Sequence, residues 1–565
     1  MHTPGAQGRP ARRRRALLAL SAVAALAGGL ATVAPAAPSS ALDNGVARTP
    51  PMGWNDWNSF GCNVSESLIK QMADTIVSKG LASLGYQYVI VDDCWFNPNR
   101  DSSGNLQPNT SRFPSGMKSL GDYLHGKGLK FGIYEVPGTK TCAQGTGAYS
   151  GSTGSQGHEQ ADARQFAAWG VDYLKYDWCS GSGTISDQVT TFAKMRDALA
   201  ATGRQIVFSI NPNSFHAITG PSRNWGDVAN QWRTTEDITT SWDTGHANSY
   251  PMGINNIVNV NAPLSGYAGP GHFNDPDMLE VGNGSLSDTE YRSHFAMWAM
   301  MSAPLIMGND LRSASSATLT ILGNKALIDI DQDSLALQAT QLSNDGTRRV
   351  LAKKLANGDV AVALYNGGSS TTTISTSASA AGLSGSSFSL REVWSGAVTA
   401  STGSVSASVP GHGTVVYRVS RTGTSPSPTT PSPTTPSPTT PSPTTPSPTT
   451  PSPTTPSPTT PSPTTPSPTG ACTATFTAPN PWDGGFVGNV TVTAGSALTG
   501  WKVTITLPSG VQVTNGWNAT FTGSSGTVVA TNASYNGTVA AGQSTTFGFQ
   551  GTGSPNGITV GCAAS

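Results

Sequence analysis

From Pro50 to about residue 330 the sequence alternates short β-branched or aromatic runs with longer helical periods, eight times over. The candidate strands are Met52–Trp57, Gln87–Val91, Lys130–Tyr134, Val171–Tyr176, Gln205–Ile210, Gln231–Thr234, Gly271–Phe273 and Ala303–Met307. Helical periods between them include Ser65–Leu84, Gly116–Lys127, His158–Trp169 and Ile185–Ala200. A strand followed by a helix returns the chain parallel to itself, so the pattern demands a parallel sheet. Eight such units over roughly 270 residues fit a closed (β/α)8 barrel. An open doubly wound sheet would carry a Gly-rich phosphate turn after its first strand, and none is present.

Past residue 330 the helical period disappears. Arg349–Lys354, Val360–Tyr365, Ser387–Trp394 and Thr414–Arg418 read as short strands split by glycine turns, an antiparallel β-domain. Thr424 to Gly470 is a Pro-Ser-Pro-Thr-Thr repeat. With no sizeable apolar side chain to bury, it is an extended spacer reaching roughly 140 Å at most. Residues 471–565 are again all β, with strands at Thr473–Phe476, Gly488–Thr493, Trp501–Leu507, Thr527–Ala530 and Thr545–Gln550. The expected layout is therefore a signal peptide (1–41), a barrel (42–329), an antiparallel β-domain (330–421), a linker (422–470) and a C-terminal β-sandwich module (471–565).

The signal reading rests on Arg12–Arg15, the apolar run Ala16–Val33 and small-residue cleavage candidates at Ala34-Pro35-Ala36 or Ser39-Ser40-Ala41. Gly28 and Gly29 interrupt the apolar run and no later span follows, so no membrane partner is expected and the mature protein is extracellular. Six cysteines agree with export. Cys472 and Cys562 bracket the last module and are expected to pair. Of the three connectivities open to the other four, Cys62–Cys94 and Cys142–Cys179 is the expected one. Only 11% of residues are charged and the net charge is +0, which argues against a nucleic-acid partner.

Acids gather at the strand ends: Asp92-Asp93, Glu135, Asp177, Glu236-Asp237 and Asp275-Pro276-Asp277. In a barrel these ends converge on one mouth. Lys175 and Asp177, two apart on one strand, point to the same side. Converging carboxylates without histidine partners suit a metal or a glycosidic bond. The accompanying tryptophans and Tyr134 favour the sugar, because aromatic faces stack on its C–H bonds; neither metal nor cofactor is called for.

The motifs carry more. Arg48-Thr49-Pro50-Pro51-Met52-Gly53-Trp54-Asn55, Val91-Asp92-Asp93-Cys94-Trp95, Lys130-Phe131-Gly132-Ile133-Tyr134, Tyr173-Leu174-Lys175-Tyr176-Asp177, Trp232-Arg233 with Asp237-Ile238, and Asn274-Asp275-Pro276-Asp277-Met278-Leu279 resemble glycoside hydrolase family 27, in order, over residues 43–420. That resemblance implies a retaining exo-α-galactosidase acting on terminal galactose of plant oligo- and polysaccharides. It implies Asp177 as nucleophile and Asp237 as general acid/base, with Trp57, Asp92, Asp93, Tyr134, Lys175, Arg233 and Asp277 holding the sugar and a Cys142–Cys179 bridge under the pocket. Lys175 is expected to keep Asp177 charged, while a less charge-compensated site keeps Asp237 protonated. The fifth strand ends in Ser209-Ile210-Asn211-Pro212-Asn213-Ser214 instead of the family's Cys-Glu-Trp. That leaves α-N-acetylgalactosaminidase, β-L-arabinopyranosidase and isomalto-dextranase activities as alternatives, alongside a catalytically silent sugar-binding protein.

The C-terminal module, through Trp482, Gly485-Phe486, Gly500-Trp501, Trp517-Asn518-Ala519, Tyr535-Asn536-Gly537 and Phe547-Gly548-Phe549, resembles a family 2 carbohydrate-binding module. The resemblance implies a polysaccharide-binding strip of Trp482, Trp517 and Tyr535, with Trp501 in the core, and cellulose or xylan as the polymer.

Overall fold

Strands β1 (Met52–Asn55), β2 (Tyr88–Val91), β3 (Lys130–Glu135), β4 (Tyr173–Asp177), β5 (Val207–Asn211), β6 (Gln231–Arg233), β7 (Phe273–Asp275) and β8 (Leu305–Met307) form one parallel sheet in the order β8-β1-β2-β3-β4-β5-β6-β7. A parallel bridge between Leu279 and Met307 spans the seam between β7 and β8, so the sheet closes on itself as a (β/α)8 barrel. The computed structural model describes residues 42, 44–179, 183–214, 217–422, 471–478, 484–533 and 536–565. The segment expected to be a signal peptide and nearly all of the expected linker lie outside them. Among the described residues no helix is long and apolar enough to cross a membrane.

Local chemistry explains the elements. Ser65 caps the helix Glu66–Ser78 by accepting from the Leu68 N–H at 3.2 Å. Gly80, at φ 75°, ends that helix, and a single 3-10 turn (Ala82–Leu84) is closed by Gly85 in the left-handed region. Thr184 and Ser287 open the helices Ile185–Ala201 and Asp288–Met300 with capping boxes. Gly53 is dictated by contact: a Cβ there would stand 2.2 Å from the Tyr88 carbonyl on the neighbouring strand. One strand is displaced from its expected place. The seventh runs over Phe273–Asp275 rather than Gly271–Phe273, because Gly269 and His272 exchange backbone hydrogen bonds in a tight turn with Gly271 at φ 89°.

The β-domain packs a six-stranded antiparallel sheet against the barrel and a two-stranded one, Thr372–Ser377 with Ser404–Val409, against its outer face. Alternation along two strands shows why. Leu351, Ala361, Ala363 and Tyr365 join the barrel core, whereas Val350, Ala352, Val362 and Leu364 join a second cluster with Phe388 and Val405. The helix Asp288–Met300, buried from Ser293 through Met300, lies between barrel and β-domain; Ser293 Oγ donates to the His412 carbonyl and Trp242 stacks on His412 at 4.7 Å.

The chain divides into two compact units, and the second contains the C-terminal module. It is a sandwich of two four-stranded antiparallel sheets, joined end to end by Cys472–Cys562. Its core is apolar, with Trp501 stacked on Phe547 at 5.1 Å. The other two disulfides join Cys62 to Cys94 and Cys142 to Cys179.

Candidate functional site

The carboxyl ends of the barrel strands open into a cavity of about 750 Å3. Trp57, Asp92, Asp93, Tyr134, Lys175, Asp177, Arg233, Asp237 and Asp277 all line it. These nine residues come from six strand ends and the segments that follow them. Their floor is buried: Asp92, Asp93, Tyr134, Asp177, Arg233 and Asp277 have little or no contact with water.

Buried charges need partners, and here each partner also fixes a position. Lys175 Nζ lies 2.7 Å from Asp92 Oδ2 and 3.9 Å from Asp177 Oδ2. Asn55 Nδ2 donates to the same Asp92 oxygen at 2.7 Å. Asp93 accepts from the backbone N–H groups of Cys94 and Ala143, at 2.7 and 2.9 Å. Arg233 Nη2 lies 2.8 Å from Asp277 Oδ2 and 3.1 Å from Asp237 Oδ1. Asp277, a non-glycine residue at φ 82°, accepts from the N–H groups of Ile238 and Met278 at 2.9 and 2.8 Å. Tyr134 is buried under the Lys175 ammonium, 5.4 Å from its ring centre. The Cys142–Cys179 bridge lies against the floor, with Cys142 Sγ 4.0 Å from Asp177 Oδ2. Among the described residues, Cys142, Asp177 and Cys179 form the one trio with metal-ligand spacing, and its sulfurs are bonded to each other.

Electrostatics correct one expectation. Lys175 does pull Asp177 toward its charged form, but burial outweighs it and the Asp92 and Asp237 charges add to the push, so the Asp177 carboxyl rises to about 6. Burial also opposes charge on Lys175, yet Asp177 and Asp92 prevail and hold its ammonium protonated. Burial lifts Asp93 to about 6 against its backbone hydrogen bonds. Asp237 is the opposite of its expected surroundings: its side chain is 61% exposed, and Arg233 compensates its charge.

Several lining residues left no signal in the motifs: Asn58, Ser59, Thr239, Thr240, Tyr250, Glu280, Asn283 and Gly284. Glu280, raised to about 7 by burial, accepts from Asn58 and Asn283 and so clamps the loop after β1 to the loop after β7. Three residues beyond Asp277, its carboxylate continues the strand-end motif; Asn58 and Ser59 sit in the four-residue helix Trp57–Phe60, and the others in loops without periodicity. Ser209, Ile210 and Asn211, from the aberrant fifth strand, line a separate chamber of about 20 Å3 that shares Lys175, Asp177, Arg233 and Asp277 with the cavity. That is space for about one water.

In the C-terminal module Trp482 and Tyr535 lie outside the described residues. Trp517 ends the strand Gln512–Trp517, its side chain likewise outside them. Trp501 is fully buried, and its indole N–H donates to the Asn536 carbonyl at 2.8 Å.

Known proteins resemble this chain along its whole domain series. The family profile described as alpha galactosidase A matches residues 49–333. The profile of the alpha galactosidase C-terminal beta sandwich domain matches 345–419, and that of the cellulose binding domain 472–562. An alpha-galactosidase of Oryza sativa subsp. japonica is 43% identical over 378 residues, covering 67% of this chain and 86% of its own. One from Coffea arabica is 45% identical over 380 residues, 67% of this chain and 95% of its own. The crystal structure of alpha-galactosidase I from Mortierella vinacea superposes with a TM-score of 0.62 at 35% identity, over 67% of this chain and 98% of that one.

Proposed function

The chain belongs to the alpha-galactosidase family of glycoside hydrolases and carries a cellulose-binding module, and from that premise we propose that it is a secreted, retaining exo-α-galactosidase of plant oligo- and polysaccharides. The single observation that carries the reading is that Asp177 and Asp237 open into one cavity whose floor is crowded with fixed hydroxyl-binding groups. Asp177 attacks the anomeric carbon and forms a covalent glycosyl-enzyme as the bond to the leaving oxygen breaks. Asp237 gives that oxygen its proton, then takes one from the water that attacks the same carbon and frees Asp177. Exposure suits Asp237 to this exchange, since its second partner is solvent. Asp92, Asp93 and Lys175 hold the outer hydroxyls, Arg233 and Asp277 flank the reacting centre, and Trp57 and Tyr134 wall the ring.

Galactose is favoured over N-acetylgalactosamine. What supports this is that the alpha-galactosidases of Oryza sativa subsp. japonica and Coffea arabica are 43% and 45% identical to this chain. Secretion is supported by three disulfides with no cysteine left free, and by a module whose family description names an extracellular polymer. Tethering to that polymer is the role we assign to the module.

The test is nitrophenol release from a panel of aryl glycosides, followed by proton NMR of the first sugar formed. Turnover of the α-galactoside with α-galactose appearing first is expected. No turnover of any α-galactoside would refute the activity, and β-galactose appearing first would refute the retaining step. Retention on crystalline cellulose in a pull-down is expected as well, and its absence would remove the tether.

A further inference from the structure

The cavity has a rim distinct from its floor. Its exposed lining residues are Asp237, Thr240, Tyr250 and Gly284. Tyr250 is 62% exposed, the only exposed Trp, Tyr or Phe among the residues whose side chains are described. An exposed ring elsewhere would need no explanation; this one opens onto the cavity that contains both carboxylates.

Tyr250 is held beside Asp237. The Met252 N–H donates to the Asp237 carbonyl at 3.2 Å and the Thr239 N–H to the Met252 carbonyl at 2.8 Å. On the other side of Tyr250, Asn248 accepts from the Glu236 N–H at 3.0 Å and donates to the Thr234 carbonyl at 3.3 Å. The chain on both flanks of Tyr250 is thus tied to the segment 234–239. Thr240, exposed on the same rim, packs against Gly284, where a Cβ would come within 2.4 Å of the threonine Cβ.

A general acid stands next to the oxygen that leaves, so whatever that oxygen carries extends from the acid's side of the cavity. Resting on the assignment of Asp237 as that acid, we infer that Tyr250 and Thr240 form the subsite for the leaving saccharide. Its occupant is a hexopyranose ring, with a C–H face packed on the phenol ring and a hydroxyl within reach of Thr240. Tyr250 is then a specificity-determining residue, which touches the sugar to be released and takes no part in bond breaking.

The test compares kcat/KM for two substrates: α-galactosyl fluoride, whose leaving group has no ring to stack, and a galactosyl trisaccharide of the raffinose type. Tyr250→Ala is expected to lower the trisaccharide-to-fluoride ratio about tenfold, the loss of one stacking platform. Tyr250→Trp is expected to keep the ratio, because another flat ring stands in its place. A ratio unchanged in Tyr250→Ala, or equal losses on both substrates, would overturn the inference. Wild-type protein inert toward α-galactosyl fluoride would overturn the galactosidase premise itself, before any variant is made.

Discussion

The barrel mouth and the C-terminal module use opposite chemistry. The mouth crowds six acids, a lysine and an arginine around one cavity, most of them buried. The module has two charged residues, Asp483 and Lys502, in its last 95 positions, and a core of Val490, Val492, Trp501, Val503, Ile505, Phe547 and Phe549. Burying charge is costly unless each group finds a partner, and the mouth meets that cost with a continuous network from Asn55 through Asp92 and Lys175 to Asp177. Such an outlay suits a site where charge develops during reaction. Adsorption to a neutral polymer needs no such field, only shape and aromatic surface.

This contrast can be broken most sharply at Asp177. Asp177→Ala is expected to lower kcat by roughly 10^4-fold or more while cellulose retention persists; near-normal turnover would show that the nucleophile is another residue. Asp237→Ala is expected to cost about 10^2- to 10^4-fold on oligosaccharides and far less on a 2,4-dinitrophenyl galactoside, whose leaving group needs no proton. Equal losses on the two substrates would deny Asp237 the role of acid.

The pH profile sharpens the mouth alone. Asp177 attacks as the carboxylate, so the acid limb of kcat/KM is expected near pH 6, where burial puts its pKa, rather than near 4. Lys175 lowers that pKa, so Lys175→Met should move the limb to higher pH. A limb that stays put would mean that another group governs it.

The same burial has a consequence for stability. Asp177 holds its proton in the folded state up to about pH 6, whereas the unfolded chain releases it near 4. Between those values the folded protein binds more protons, so this group's contribution falls as pH rises and is least favourable above 6. Asp177→Asn is therefore expected to raise Tm by a few degrees at pH 7, equivalent to about 2–3 kcal/mol, and to change it little at pH 4. Equal shifts at both pH values would refute the linkage. The smallest effect belongs to the module: a chain ending near residue 422 should keep kcat/KM on soluble galactosides within roughly twofold and lose retention on cellulose. A large loss on soluble substrate would mean the two units are not independent.

Much of this was legible in the chain itself. Eight strands with helices between them dictate a parallel barrel, because apolar periodicity is a local property that each segment carries alone. The strand-end motifs likewise point Asp92, Asp93, Asp177, Asp237 and Asp277 to one mouth, since position along a parallel strand decides which rim a side chain reaches, whereas Glu135, Glu236 and Asp275 do not line the cavity. The strand Thr372–Ser377 escaped notice because Ile374 is its one sizeable apolar residue and gives no alternation.

What folding alone decided are sums over residues remote in sequence. Arg233 beside Asp237, the balance that leaves Asp177 at about 6, and Tyr250 on the rim each depend on loops and strands meeting from separate parts of the barrel. Desolvation and Coulomb forces act through space, and a linear pattern records neither the distances between groups nor the water that folding excludes.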